Sequence, residues 1–426
     1  MSAMLLLASF LVLTFVGIPI AVSLGLSSML FLVFDLKVPL AIMVQRLFTG
    51  IDSFPIMAIP FFVLAGAAMD AGGLTTRIVA FANAMVGWVR GGMALVSIVA
   101  CMIISGLSGS AVADCSAIGS VMIPAMKRSG YSAAFAGGLV GSAAGLGPII
   151  PPSITMVVFG VITGTSVTKL FIGGAIPGII FGVGLMIAAY VIAVRRNYPR
   201  LDKPSLAGAW KSLVEVFWAL LMPVIVLGGI FIGVFTVTEA AAVSAVYCLF
   251  AGAFIYKELD SFRKLYDALW RSVMVVASIM ILIACAQLYS WLLVVYKLPQ
   301  ILTAAMQSVT SSPWVLLALI NVLFLIAGMF IEANAAIILF VPILYPLTQQ
   351  YGVDSLHLGI VLVFNLCLGL ITPPVGLTLS LAAKMAEAPL HKAFVESLPF
   401  LLVGVLTLLI ITYIPETVTW LPSLME

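Results

Sequence analysis

"SAAGLGPIIPPSITM", residues 142–156, decides how this chain is read. Three prolines and two glycines interrupt a stretch that is otherwise apolar. Proline lacks the N–H that an interior helical residue donates and clashes with the preceding turn, at a cost of about 3 kcal/mol. Pro152 also pushes Pro151 out of the helical region of backbone space. The spacing therefore predicts two half-helices, 132–145 and 153–164, facing each other across an extended stretch. A second copy, "GLITPPVG" at 369–376, splits 356–386 into 356–368 and 375–386 in the same way.

The surroundings make that interruption costly. Of 426 residues 63% are hydrophobic and only 8% charged, whereas a soluble domain is about a quarter charged. The fold class expected is an all-α polytopic membrane protein. Unwound backbone at membrane depth survives only where it is buried in protein or lines a polar cavity. A single proline makes a kink; tandem prolines, twice, imply a site. The net charge is +3, with the basic residues at helix ends, which speaks for topology and against nucleic acid. No basic segment precedes "MSAMLLLASFLVL" and no small-residue cleavage site follows it, so the first helix is expected to be a permanent span. Five isolated cysteines and two distant histidines offer little to a metal or thiol-redox centre.

Apolar runs long enough to cross a bilayer lie near 53–71, 170–194, 217–235, 238–256, 272–294 and 395–414. Residues 2–34 are expected to make two passes turning at Gly17-Ile18-Pro19, from an outside N-terminus. Residues 74–90 and 297–311 are more amphipathic and suit the interface. The loop "RRNYPRLDKPSLAGAWK", 195–211, carries five basic residues and one acid, which places it in the cytoplasm. Counting crossings back from there puts both ends of 92–126 on the cytoplasmic side. That run is expected to be a re-entrant hairpin with its tip at "SGLSGSAVAD", 105–114. Counting forward leaves "KELDSFRKLYDALWR", 257–271, cytoplasmic, and makes 313–349 a second hairpin entering from outside, with its tip at "GMFIEANAA", 328–336.

A shift of 222 lays Pro124, Pro151, Pro152 and Pro177 on Pro346, Pro373, Pro374 and Pro399, four of the five prolines between 106 and 177. The same shift lays Gly106, Gly130, Gly137 and Gly147 on Gly328, Gly352, Gly359 and Gly369. Since the hairpins open to opposite sides, the repeat is an inverted one. The expected division is a first repeat 1–196, a basic linker 197–211, a second repeat 212–415 and a tail 416–426.

Each broken helix offers freed carbonyls from one half and a positive N-terminal end from the other. Carbonyls and hydroxyls suit Na⁺, and positive helix ends suit a carboxylate. The substrate candidates are Ser108, Ser110, Ser153, Thr155, Glu332 and Asn334. The Na⁺ candidates are the tip and break positions Ser105, Gly106, Ser108, Gly147, Pro148, Pro151, Gly328, Gly369, Thr372 and Pro373. Serine and threonine in such helices often bond back to their own backbone. Glu332, an acid at bilayer depth, is a functional candidate by default. Helix capping explains Asp114 equally well, and Glu239 reads as a cap. With no Lys or Arg near either tip, an anionic substrate should bind with steep dependence on Na⁺.

"VQRLFTGIDSFPIMAIPFF" (44–62), "GLSGSAVAD" (106–114), "AMKRSGYSAAFA" (125–136) and "GPIIPPS" (147–153) resemble the large membrane subunit of tripartite ATP-independent periplasmic (TRAP) transporters. The resemblance runs over essentially the whole chain. It implies a Na⁺-driven importer of organic acids in the bacterial inner membrane, supplied by a periplasmic binding protein and completed by a small membrane subunit, here expected as a separate chain. It also implies an elevator, in which hairpins and broken helices, with 53–71, slide against a scaffold that includes the interfacial segment 37–52 with Lys37 and Arg46. Among the acids such transporters handle, C4-dicarboxylates, sialic acids and keto acids included, sialic acid is the expectation. The alternatives are a self-sufficient divalent-anion/Na⁺ symporter, an intramembrane hydrolase using Ser108 or Ser110, which lacks a base, and a purely structural subunit.

Overall fold

A computed structural model describes residues 2–36, 39–200 and 205–424. Lys37 and residues 201–204 of the basic loop lie outside the described residues. The first half holds α1 (Ser2–Phe15), α2 (Ile20–Phe31), α3 (Leu40–Ile51), α4 (Ala58–Ala71), α5 (Leu74–Val86), α6 (Gly92–Ser108), α7 (Ala111–Arg128), α8 (Ala133–Ala144), α9 (Ile154–Thr163) and α10 (Val167–Arg195). The second holds α11 (Leu206–Phe231), α12 (Val237–Phe250), α13 (Phe262–Val295), α14 (Leu298–Val309), α15 (Pro313–Phe330), α16 (Ala333–Gln350), α17 (Ser355–Leu370), α18 (Leu377–Ala386), α19 (Leu390–Tyr413) and a short α20 (Glu416–Ser423). Among the described residues eight helical stretches are long and apolar enough to cross a membrane.

Many of these helices start where a side chain can cap them. Ser132, Ser153 and Ser166 accept from the backbone N–H three residues on, at the starts of α8, α9 and α10. Asp354 does the same for α17. Such a cap satisfies one of the first N–H groups of a helix and contributes about 1 kcal/mol. Glu239 sits three residues into α12 and forms a capping box with Thr236, which is itself the cap.

Two helices run further than their apolar cores predict. The α11 helix begins at Leu206, inside the basic loop, and α13 begins at Phe262, inside the charged stretch. Ser205 and Ser261 cap them. Hydropathy reports only the part that belongs in lipid, whereas Lys, Glu, Leu and Ala continue a helix into water at little cost.

Adding 222 to residue numbers lays α6–α10 on α15–α19 within a few positions, and α3 together with α4 on the single helix α13. Packing follows the same correspondence. The second hairpin helix of each half, α7 or α16, lies on the last half-helix of the other half, α18 or α9. Likewise α8 packs on α19 and α10 on α17. A separate group forms around α13, which packs on α2, α3 and α4, with α12 against α4. The segment 53–71, expected to move with the hairpins, therefore belongs by packing with α12 and α13. Its apolar face, with Ile59, Phe62, Ala65 and Ala68 fully or almost fully buried, is wide enough to be covered from several sides.

Candidate functional site

The two hairpins end at tight turns. In the first, α6 closes on Gly109 at φ +63°, a left-handed conformation that glycine adopts without a side-chain clash. A side chain there would also press on the carbonyl of Pro152 and on Ser153 Cα, so the tip lies directly on the proline break. Gly147 is the reciprocal contact: a Cβ on it would stand 2.7 Å from the Ala111 nitrogen and 2.8 Å from Asp114 Oδ2.

Ser110, not Asp114, caps α7, accepting from Ala113 N–H at 3.5 Å. Asp114 folds back toward the tip instead. The Ser105 hydroxyl donates to its Oδ2 at 2.7 Å, and the Ser108 hydroxyl donates to its Oδ1. The Ser108 oxygen also accepts from Ser110 N–H at 3.2 Å. Asp114 is wholly buried, and none of the ion pairs among the described residues involves it. A buried carboxylate without a cationic partner is costly. The capping explanation does not account for it.

In the second hairpin Glu332 is the cap. Its Oε2 accepts from Ala335 N–H at 3.2 Å and its Oε1 from Asn334 Nδ2 at 2.9 Å. That leaves Asn334 Oδ1 buried with no partner. The break is tied to this tip by a main-chain bond from Val375 N–H to Met329 C=O, 3.2 Å.

The two tips meet. Ser110, Pro148 and Thr155 from the first half and Glu332 and Asn334 from the second line one cleft. Its volume is about 30 Å³, the room of a single water. Ser153 stands at the edge of this group but is committed to capping α9, accepting from Met156 N–H at 3.2 Å. The remaining candidates separate into two kinds. No main-chain N–H among the described residues is bonded to the carbonyls of Gly147, Pro148 or Pro151 in the first break, or of Pro373 in the second. Gly369 C=O, by contrast, accepts from Thr372 N–H at 3.0 Å, and the Thr372 hydroxyl donates to Leu368 C=O at 2.7 Å. Gly106 and Gly328 lie inside helices; at Gly328 a Cβ would come 3.1 Å from Gly369 Cα, so α15 and α17 cross there backbone on backbone.

Sequence reasoning did not single out Asn365. It is fully buried in α17, donates from Nδ2 to both Asn321 C=O and Asn321 Oδ1 at 2.9 Å, and keeps an unpartnered Oδ1. A buried amide in a run of Leu, Val and Phe was the available signal.

These features describe a polytopic helical membrane protein of the transporter class, with a polar site assembled from two internal repeats. The model of the DctM component of tripartite ATP-independent periplasmic transporters matches residues 7–417, and the chain belongs to that family. It is 41% identical to the C4-dicarboxylate TRAP transporter large permease protein DctM of Vibrio cholerae, covering 96% of this chain and 95% of that one. It is 38% identical to the sialic acid TRAP transporter large permease protein SiaM of the same organism, over 97% and 96%. The YdaH transporter of Alcanivorax borkumensis shares the fold, with a TM-score of 0.63 over 88% of each chain at 15% identity. The family is one of transporter permeases rather than enzymes, which sets aside the hydrolase alternative.

Proposed function

We propose that the chain is the large permease of a three-component, Na⁺-coupled importer of an organic acid in the bacterial inner membrane. It would work with a small membrane subunit and a periplasmic binding protein. The observation that carries this reading is Asp114, fully buried, bonded to two serine hydroxyls and beside the cleft where both halves meet.

The donor set fits Na⁺. The Asp114 carboxylate supplies one negative charge, the hydroxyls of Ser105 and Ser108 supply neutral oxygens, and the carbonyls of Gly147, Pro148 and Pro151 carry no main-chain bond. Hard cations take oxygen ligands of this kind. With Na⁺ held there, the charge beside the cleft is balanced and an acid can approach. Asn334 Oδ1 is then free to accept from a substrate N–H or O–H, with Ser110 and Thr155 opposite. Glu332 can accept from a substrate hydroxyl.

A cleft the size of one water must open to load an organic acid. The hairpins, read as re-entrant, and the broken helices would therefore move as one body, the elevator, against a scaffold built on α2, α3, α4, α12 and α13. The cross-half packing of α7 on α18 and α16 on α9 supports motion as a unit. The substrate is assigned to the C4-dicarboxylate or sialic acid class; relatives named for the two stand at 41% and 38% identity and do not separate them.

The test is uptake of labelled succinate or N-acetylneuraminate into proteoliposomes holding this chain, its small subunit and the loaded receptor. Uptake is expected only with an inward Na⁺ gradient. Uptake that persists with choline in place of Na⁺ overturns the coupling. Uptake by this chain alone would make it a self-sufficient symporter.

A further inference from the structure

A second cavity, of about 710 Å³, lies away from the hairpin tips. Its size is in the range of sites that hold small molecules, roughly 300–1,000 Å³. It is walled by the end of α3 and the turn after it, the junction of α9 and α10, the start of α12, and α13. Among the described residues, Arg46 is the one charged side chain in that wall, and no Asp or Glu lines it. The Arg46 guanidinium stands 4.9 Å from the ring centroid of Trp291, and none of the ion pairs among the described residues involves it. Around it are hydroxyls and an amide: Ser53, Thr165, Ser290 and Gln287. Ser53 Oγ is buried with no hydrogen-bond partner.

A guanidinium over an indole face has an edge that can bind a carboxylate or sulfonate through two parallel hydrogen bonds. The cation–π contact also restrains the side chain, so less freedom is lost on binding. The α10 N-terminus, opening on the same space at Ser166 and Val167, adds a positive dipole end. The start of α12 adds less, because Glu239 already occupies it. The chemistry is that of a site for a small organic anion bearing hydroxyl or amide groups.

Its place in the fold gives the site a purpose. Gly160 and Gly164, at the far end of α9, line this cavity, while Ile154 and Thr155, at the near end, line the tip cleft. Thr155 and Gly164 are nine residues apart, or about 13 Å along a helix. Loop 164–166 and Thr236 also lie at the helix ends opposite the basic loop after α10, so by the charge rule they face the receptor side.

We propose that the Arg46–Trp291 cavity is a staging site, which takes the acid substrate before the tip cleft does. This rests on the transport reading for its purpose, but the binding itself does not. Because the wall holds a fixed cation and no carboxylate, occupancy needs no Na⁺.

The test uses the intrinsic fluorescence of Trp291 in the purified full chain. Succinate, N-acetylneuraminate and, as control, chloride are titrated in choline buffer. A saturating change with an organic acid and not with chloride is expected, and Trp291→Phe should remove it. Arg46→Gln should weaken binding at least about tenfold and Arg46→Lys about threefold, since lysine keeps charge but not the fork. Arg46 is an exposed side chain, so both variants should fold, which circular dichroism of each variant checks. An Arg46→Gln titration that matches the wild type overturns the proposal. So does displacement of the acid by phosphatidylglycerol in the micelle, which would mark a lipid site. Failure of Na⁺-driven uptake alone would sink the transport reading and leave this titration to stand on its own.

Discussion

The two halves share a backbone plan and differ in where they put polar atoms. Ser110 and Glu332 occupy equivalent positions, 222 residues apart, and both cap the second hairpin helix. Four residues on, the first half has Asp114 and the second Ala336; Ser105 and Ser108 correspond to Ala327 and Phe330. So the first tip carries a buried acid with its own hydroxyl donors, and the second carries one acid spent largely on its own helix start. The same asymmetry recurs further out. The chain breaks between α3 and α4 at Ser53 and Pro55, whereas Val275 and Ala277 let α13 pass straight through. Glycines and prolines held in common set the backbone; the unshared polar residues divide the chemistry.

The largest test of that division is Asp114→Asn. It preserves shape and removes charge, and uptake is expected to fall at least about a hundredfold with loss of Na⁺ dependence, the scale of a buried charge-assisted bond network. If uptake in Asp114→Asn stays within a few-fold of wild type, the first tip is not the ion site and the comparison breaks.

Next in size is the close crossing of the second half. Gly369→Ala must push α15 from α17, because a Cβ there runs into the Gly328 backbone. Overpacking of this kind costs about 1–3 kcal/mol, to be read as a melting temperature several degrees lower in detergent. An unchanged melting temperature would mean that the helices separate freely at this point.

Glu332→Gln should be milder than Asp114→Asn. The glutamine oxygen can still accept from Ala335 N–H, so the helix start survives and substrate affinity should drop about tenfold, or about 1.4 kcal/mol. A loss as deep as that of Asp114→Asn would show that the two tips carry equal roles.

The smallest effect belongs to the surface. Arg196, at the end of α10, pairs with Glu396 in α19 at 2.8 Å, with side chains 43% and 20% exposed; the offset partners, Val418 and Gly174, have no such pair. A double-mutant cycle should give a coupling of about 0.5 kcal/mol that shrinks with added salt. A value several times larger would make this pair a fastening between halves rather than a solvated contact.

Much of this was legible in the residues. Proline acts locally, so the breaks at Pro151–Pro152 and Pro373–Pro374 could be placed to within a few residues. The extent of α11 and α13 could not, because hydropathy registers what lipid requires and not where hydrogen bonding stops. Asp114 was ambiguous for a different reason. A carboxylate in the first turn of a helix reads as dipole stabilisation, and only its rotation toward Ser105 and Ser108 shows otherwise. Nothing in the neighbourhood of Arg46 in the chain announces Trp291, which lies 245 positions away.

The order of residues alone determined that the protein is a helical membrane protein, that its plan is used twice, and where tandem prolines break its helices, since each depends on composition, spacing or a missing N–H. Tertiary structure alone decided that α4 packs with α12 and α13, that both tips close on one cleft, and which carboxylate is left buried without a counter-charge. Those outcomes depend on which distant backbones touch and which way a side chain turns, and no local pattern encodes either.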